Sequence, residues 1–227
     1  MIETIATVDT AHETLMFLPG ASGNTELWRP LSDRLVHFGA REFLGWPGFG
    51  PTPPQPGITS LTDLVQLVTH KVSSPVTLLA QSMGGVIAVM AALELPKLVR
   101  RLVLSVTSGG LDLASLGAVD WRPEFRKCNP DLPRWFEDYR TDLTSRLHEL
   151  TAPVLLLWGD SDPISPIAVG EHLANLLPNA ELLVVEGGTH SLVKERTDQI
   201  TPHVQRHLSK HVIASTSQLA VGSDKGR

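Results

Sequence analysis

The run LLAQSMGGVIAVMAALEL, residues 78–95, constrains this chain more than any other stretch. It begins as an apolar strand and ends as an apolar helix, and only Gln81-Ser82-Met83-Gly84-Gly85 separates the two. A strand that turns directly into a helix leaves little room at the corner. The flanking residues must be small if backbone and helix are not to collide. Ala80 and Gly84 meet that requirement, two positions before and two after Ser82. Such a turn lifts the Ser82 hydroxyl clear of the backbone. It also aims the Met83 N–H, at the new helix's N-terminus, toward whatever binds there. Taken alone, the same residues suit a serine that merely caps the helix, and the rest of the chain has to separate the two readings.

Strand and helix patterns alternate along the sequence. Residues 2–8 alternate as an edge strand does, and residues 14–18 form a short apolar run closed by Pro19-Gly20. Residues 25–38 predict a helix with Leu27, Trp28, Leu31 and Leu35 on one face. Residues 41–46 predict a strand stopped by Pro47-Gly48, and the Pro-rich loop PTPPQPG that follows is expected to be rigid and exposed. Thr59 or Ser60 is placed to cap a helix through about residue 72. Strands over 76–80, 101–106, 153–158 and 181–185 and helices over 84–94, 166–177 and 196–212 complete the pattern. The alternation predicts an α/β fold, a mainly parallel central sheet with helices on both faces.

Residues 111–150 break the rhythm. They are polar, yet they hold Trp121, Phe125, Trp135, Phe136 and Tyr139, five of the chain's 12 aromatics. They are expected to form a short lid above a core made of residues 1–110 and 151–212, with those aromatics as an apolar wall over a pocket. Ordinary packing is the alternative reading of the same rings. The tail, 213–227, is small and polar and is expected to be mobile.

Composition narrows the partners. A net charge of -5 with no run of five or six like charges argues against nucleic acid and leaves a small molecule as the default. Cys128 is the only cysteine, so no internal disulfide forms, which suits the cytoplasm. No signal peptide is expected from MIETIATVDT, and no apolar run is long enough to span a bilayer. Neither a Walker sequence nor a dinucleotide fingerprint occurs, and no cofactor is expected.

A serine hydroxyl is a poor nucleophile without a base, and the base needs an orienting acid. His190 lies in the loop after the last predicted strand and Asp162 just past the preceding one. With Ser82 they all follow strands, at what should be one edge of a parallel sheet, where ligands bind. Asp160 is the other candidate acid, and either aspartate could simply cap its loop.

These residues sit in motifs that resemble the α/β-hydrolase family over nearly the whole chain to about residue 210. Ala80-Gln81-Ser82-Met83-Gly84 resembles the family's nucleophile elbow with Ala in the first Gly position. LPGASGNTELW resembles its oxyanion loop, GWPGFGPT its D-x-P-G-x-G-x-S turn, LWGDSDPISP its acid loop and GGTHSLVKE its histidine loop. The order Ser82, Asp162, His190 is the family's order, and the spacing favours Asp162 over Asp160. Two departures stand out. Pro19-Gly20 replaces His-Gly at the oxyanion loop, where the backbone N–H of Ala21 can still donate. Gly45 replaces the usual Asp of the later turn, with the loss of a structural hydrogen bond. Among relatives the short acyl esterases, such as the pimeloyl-carrier-protein methyl esterase, are the most similar, followed by enol-lactonases and small C–C hydrolases.

The resemblance implies a hydrolase for a small ester, thioester or lactone, with Ser82 as nucleophile, His190 as base, Asp162 as its orienting acid, and Ala21 and Met83 N–H groups as oxyanion donors. A C–C hydrolase or lyase, or a slow-turnover receptor on the same fold, would use the same residues. His203, His207 and His211 recur every four residues on one predicted helix. With no carboxylate or cysteine to complete a metal set, they are expected on a solvated face.

Overall fold

The computed structural model describes residues 13–113, 116–140 and 142–210; the strand expected over 2–8 and the tail after 212 lie outside them. Its strands are β1 (Thr14–Leu18), β2 (Arg41–Phe43), β3 (Val76–Gln81), β4 (Val99–Ser105), β5 (Val154–Gly159) and β6 (Ala180–Val185). They form one sheet in the order β2-β1-β3-β4-β5-β6, and every neighbouring pair is parallel. The helices are α1 (Arg29–Arg34), α2 (Leu61–Lys71), α3 (Met83–Glu94), α4 (Arg122–Cys128), α5 (Ile167–Leu176), α6 (Leu192–Glu195) and α7 (Thr197–Ser209).

The two-residue period of a strand divides the core. Met16, Leu18, Leu78, Ala80, Leu102, Leu104, Val154, Leu156 and Trp158 pack on one face of the sheet with α2, α3 and α5. Leu15, Phe17, Leu79, Val103, Leu155 and Leu157 pack on the other with α1, α6 and α7. Both faces are covered, so the central strands read as continuous apolar runs. Helix α3 lies deepest and is apolar nearly all round, with Val86, Ile87, Ala88, Val89 and Ala91 buried. Helix α2 starts where expected, its Asp63 N–H donating to the Ser60 side chain.

Three expectations are corrected. The helix predicted over 25–38 is only six residues long. Asn24 captures the first part as a turn, accepting the Leu27 N–H through its backbone and the Glu26 N–H through its side chain. Leu35 is already extended, with ψ 134°. The strand predicted over 41–46 ends at Phe43, because Trp46 turns inward and donates its indole N–H to the Pro19 carbonyl. Helix α7 is also not a solvated histidine face: His207 is 2% exposed, while His203 is half-buried and His211 lies outside the described residues.

The N-terminal edge of the sheet holds a buried ion pair. Arg101 of β4 meets Glu13 at 2.7 Å, Thr77 of β3 donates to the same carboxylate, and Arg101 also donates to the Lys210 carbonyl at the end of α7. His207 lies beside this cluster, and its Nε2 has no hydrogen-bond partner among the described residues. Burial, reinforced by the positive charges of Lys210 and Arg101, pushes the His207 imidazole down to about 4. The unfolded chain therefore takes up a proton near pH 6.5 that the folded chain refuses until about pH 4. The resulting stability is complete above pH 6.5 and falls by about 3 kcal/mol as the pH drops to 4. Urea unfolding at pH 7, 5.5 and 4 should show that decline, and His207→Leu should remove this part of it.

Candidate active site

Ser82 sits at the C-terminal edge of the sheet, between β3 and α3, with φ 53° and ψ -121°. A non-glycine residue held there is strained, and the surroundings must enforce it. The Ser82 N–H donates to Ser105 of β4 at 3.0 Å, so the ladder holds the corner from one side. Its carbonyl accepts from Gly85 N–H at 2.9 Å and from the Thr107 hydroxyl at 2.6 Å. Gly84 is required by close approach. A Cβ there would stand 2.4 Å from the Pro19 carbonyl oxygen and 2.9 Å from that of Leu18. Helix α3 thus starts in direct contact with the end of β1, and no side chain fits between.

Two other loops meet the corner. His190 Nε2 lies 3.0 Å from Ser82 Oγ, and His190 Nδ1 lies 2.7 Å from Asp162 Oδ2. The Asp162 side chain is fully buried, and its second oxygen accepts from the backbone N–H of Ile164 and Ser165 at 2.9 and 3.2 Å. The carboxylate is therefore fixed before it orients the imidazole. Trp158 secures the same loop by donating to the Ser165 carbonyl at 2.9 Å. Asp160 has a different place. It accepts from Gly187 N–H at 2.7 Å and from Ser161 at 2.9 Å, tying the β5 and β6 loops together from the exposed side.

The loop after β1 forms the third wall. Gly20 packs against the corner so closely that a Cβ on it would stand 3.2 Å from Ser82 Cβ and 2.2 Å from Gln81 Oε1. Ala21 follows it in a turn closed by Gly23 N–H to Gly20 O at 3.0 Å. Two buried tryptophans brace this loop: Trp28 donates to the Leu18 carbonyl at 3.1 Å and Trp46 to that of Pro19 at 2.9 Å. Met83 opens α3, a position whose N–H has no acceptor inside the helix. Gln81 links two walls, donating to the His190 carbonyl at 3.1 Å. Gly45 leaves room for Thr52, whose Oγ1 lies 2.0 Å from where a Cβ would stand.

Four of the five aromatics of residues 111–150 form one cluster. Phe136, 5% exposed, stacks on Trp121 and meets Phe125, Trp135 and Phe49 edge to face. The Tyr139 hydroxyl lies 3.2 Å from Met90 Sδ of α3. Trp121, Phe125, Trp135 and Tyr139 are half-buried against the same core cluster as Ala21 and Met83. Glu137 straps the segment together: its buried carboxylate binds Arg126, and its carbonyl accepts from Arg122 and Arg140 at 2.9 and 2.8 Å. The Arg126 hydrogen bond holds the Glu137 carboxyl below the usual range. Two shallow surface depressions, of about 400 and 380 Å³, run beside α2 and β2, and neither includes Ser82 or His190.

The sequence reading missed Thr107, Trp28, Trp46, Ser165 and Glu137 as supports of these loops. No short motif marks them, and the contacts of Trp46 and Thr107 join segments more than 20 residues apart.

Known proteins share this architecture. The model of the alpha/beta hydrolase fold family matches residues 13–149, and that of the TAP-like protein family matches residues 132–215. Proline iminopeptidase PfmaB of Pestalotiopsis fici is 36% identical over 69 residues, 30% of this chain, which spans only 25% of that protein's length. The pimeloyl-[acyl-carrier protein] methyl ester esterase of Yersinia pseudotuberculosis is 25% identical over 222 residues, covering 78% of this chain and 86% of that protein. A thermophilic esterase from Thermogutta terrifontis superposes with a TM-score of 0.70 at 20% identity, over 89% of this chain and 92% of the other, a likeness of fold.

The two aspartates are expected to behave differently toward a serine-directed fluorophosphonate. Asp162→Asn should slow labelling of Ser82 at least about 10³-fold, because His190 would be held in the wrong tautomer. Asp160→Asn should remain within a few-fold of the parent. Mass-spectrometric labelling rates on both folded variants provide the measurement, and reversed effects would make Asp160 the acid.

Proposed function

The chain belongs to the alpha/beta hydrolase fold family, and from that premise we propose that it is a serine hydrolase acting on a small carboxylic ester, thioester or lactone. The observation that carries the reading is the hydrogen-bonded run from Ser82 Oγ through His190 to Asp162, at 3.0 and 2.7 Å. A hydroxyl so placed can pass its proton to the imidazole as it attacks a carbonyl carbon. The extent of the likeness to the Yersinia esterase adds support.

In this mechanism the Ser82 oxygen bonds to the acyl carbon while its proton moves to His190 Nε2. Asp162 holds the His190 Nδ1 proton and balances the imidazolium charge. The negative charge on the former carbonyl oxygen is met by the N–H groups of Ala21 and Met83. Collapse breaks the bond to the leaving group, which takes the proton from His190. Water, deprotonated by the same imidazole, then attacks the acyl-enzyme, and its proton returns to Ser82 as the acid leaves. No metal or cofactor takes part in these steps.

No helix among the described residues is long and apolar enough to cross a membrane. The partner in this reading is a small acyl compound, in keeping with the half-buried apolar side chains of Met83, Ala21 and the aromatic cluster.

Ser82→Ala should lower p-nitrophenyl ester turnover by at least about 10³-fold while leaving the melting temperature nearly unchanged. Full turnover by that folded variant would refute the reading.

The aromatic cluster predicts a chain-length dependence. Each substrate methylene buried against it should contribute about 0.8 kcal/mol, or about fourfold in kcat/KM, until its apolar surface is covered. Trp135→Ala and Phe136→Ala should flatten that slope across a p-nitrophenyl ester series while sparing the acetyl ester. Unchanged slopes would assign the rings to holding residues 111–150 together.

A further inference from the structure

We propose that Thr107 is a positioning residue that aims the Met83 N–H at the reacting oxygen; the inference rests on the function proposed above. The peptide between Ser82 and Met83 is a rigid plane, with its carbonyl on one side and its N–H on the other. Whatever fixes the direction of the Ser82 carbonyl therefore fixes the direction of the Met83 N–H. Thr107 Oγ1 donates to that carbonyl at 2.6 Å, the shorter of its two hydrogen bonds, and accepts from Gly109 N–H at 3.1 Å. Its single proton is thereby committed to the Ser82 carbonyl.

The backbone around Thr107 is built for this contact. Thr107 is 1% exposed, so water does not replace the bond. It packs against the first turn of α3 so tightly that a Cβ on Gly85 would stand 2.5 Å from its Oγ1 and 2.6 Å from its Cβ. Val106, directly before it, is buried with φ 42°, a region that β-branched residues avoid. Apart from Ser82 it is the only non-glycine residue with positive φ among the described residues. Val106 holds this strained φ directly after β4 ends at Ser105, and Thr107 is the next residue, which engages the Ser82 carbonyl.

The same residue reaches the acid loop. Its carbonyl oxygen lies 3.4 Å from the Ser165 hydroxyl, and the Ser165 N–H binds the Asp162 carboxylate. A closed circuit results: Ser82 carbonyl, Thr107, Ser165, Asp162, His190 and back to Ser82 Oγ. Thr107 thus couples the placement of the oxyanion donor to that of the acid, without touching substrate.

A donor that is misaimed weakens only what it binds in the transition state, so kcat should fall and KM should not. The test compares Thr107→Val, which keeps the shape and deletes the hydroxyl, with Thr107→Ser, which keeps the hydroxyl. Thr107→Ala is added in case the extra methyl of valine against the Ser82 carbonyl prevents folding. Rates with p-nitrophenyl butyrate are expressed per site titrated by a fluorophosphonate, so that loss of folded protein is not read as loss of rate. The hydroxyl-free variants should lose about 10- to 50-fold in kcat with KM within about twofold, part of the loss seen when an oxyanion donor is removed outright. A trifluoromethyl ketone, which places an oxyanion in the same position, should bind them weaker by a similar factor. Thr107→Ser should stay within about threefold of the parent in both measurements. Parental kcat in folded Thr107→Val or Thr107→Ala, or a serine variant as impaired as the alanine one, would overturn the inference. Ser82→Ala, run alongside, separates the two levels. If it abolishes turnover while the Thr107 variants are normal, only the role of Thr107 fails. If it stays active, the proposed function fails and this inference with it.

Discussion

Ser82 holds a strained positive-φ backbone conformation that is sustained only because three strands close around it. β3 delivers it, the Ser105 carbonyl of β4 takes its N–H, and the end of β1 presses against Gly84 with no side chain between. The strain and the crowding depend on each other. A larger residue at position 84 would collide with the Pro19 carbonyl, force α3 away from β1 and with it disturb the positive φ of Ser82. The loops after β1, β5 and β6 all converge on this fixed point, so their small spacings are set by the sheet and not by their own flexibility.

The two edges of the sheet treat polar groups in opposite ways. At the N-terminal edge, Glu13 binds both Arg101 and Thr77, and Arg101 also donates to the Lys210 carbonyl, while its Nε finds no partner among the described residues. Removing one partner of such a pair would leave a buried charge without compensation, a loss larger than the pair's own net contribution to stability. At the C-terminal edge, Asp162 has both oxygens engaged, but His190 and Ser82 remain half-buried and accessible. The groups of one edge are sealed, and those of the other are left partly open.

Residues 111–150 are organised around local contacts. Glu137 draws Arg122, Arg126 and Arg140 together, and Phe136 gathers the rings. Through Phe49 the rings join the turn after β2, and through Tyr139 the segment touches α3. Segment and sheet therefore share one apolar cluster, which extends to Ala21 and Met83 beside the corner.

The sequence by itself determined the alternation of strands and helices, the strand–serine–helix corner and the loops that carry Asp162 and His190. These features follow from local periodicity and from the steric demand for small residues at a sharp turn, and both can be read one residue at a time. It overestimated the helix before β2, because apolar spacing at Leu27, Trp28, Leu31 and Leu35 does not reveal that Asn24 captures the first turn and that Leu35 leaves the helix. It placed His207 in solvent, because a histidine every four residues looks the same on a buried face as on a wet one. The family spacing already favoured Asp162 over Asp160, and the tertiary structure supplies the physical reason: Asp162 is buried against His190, while Asp160 is spent on the Gly187 N–H. The tertiary structure alone brought Trp28, Trp46 and Thr107 to the corner. Each donates a hydrogen bond to a backbone carbonyl outside its own segment, and such a bond exists only once the sheet has set the distance.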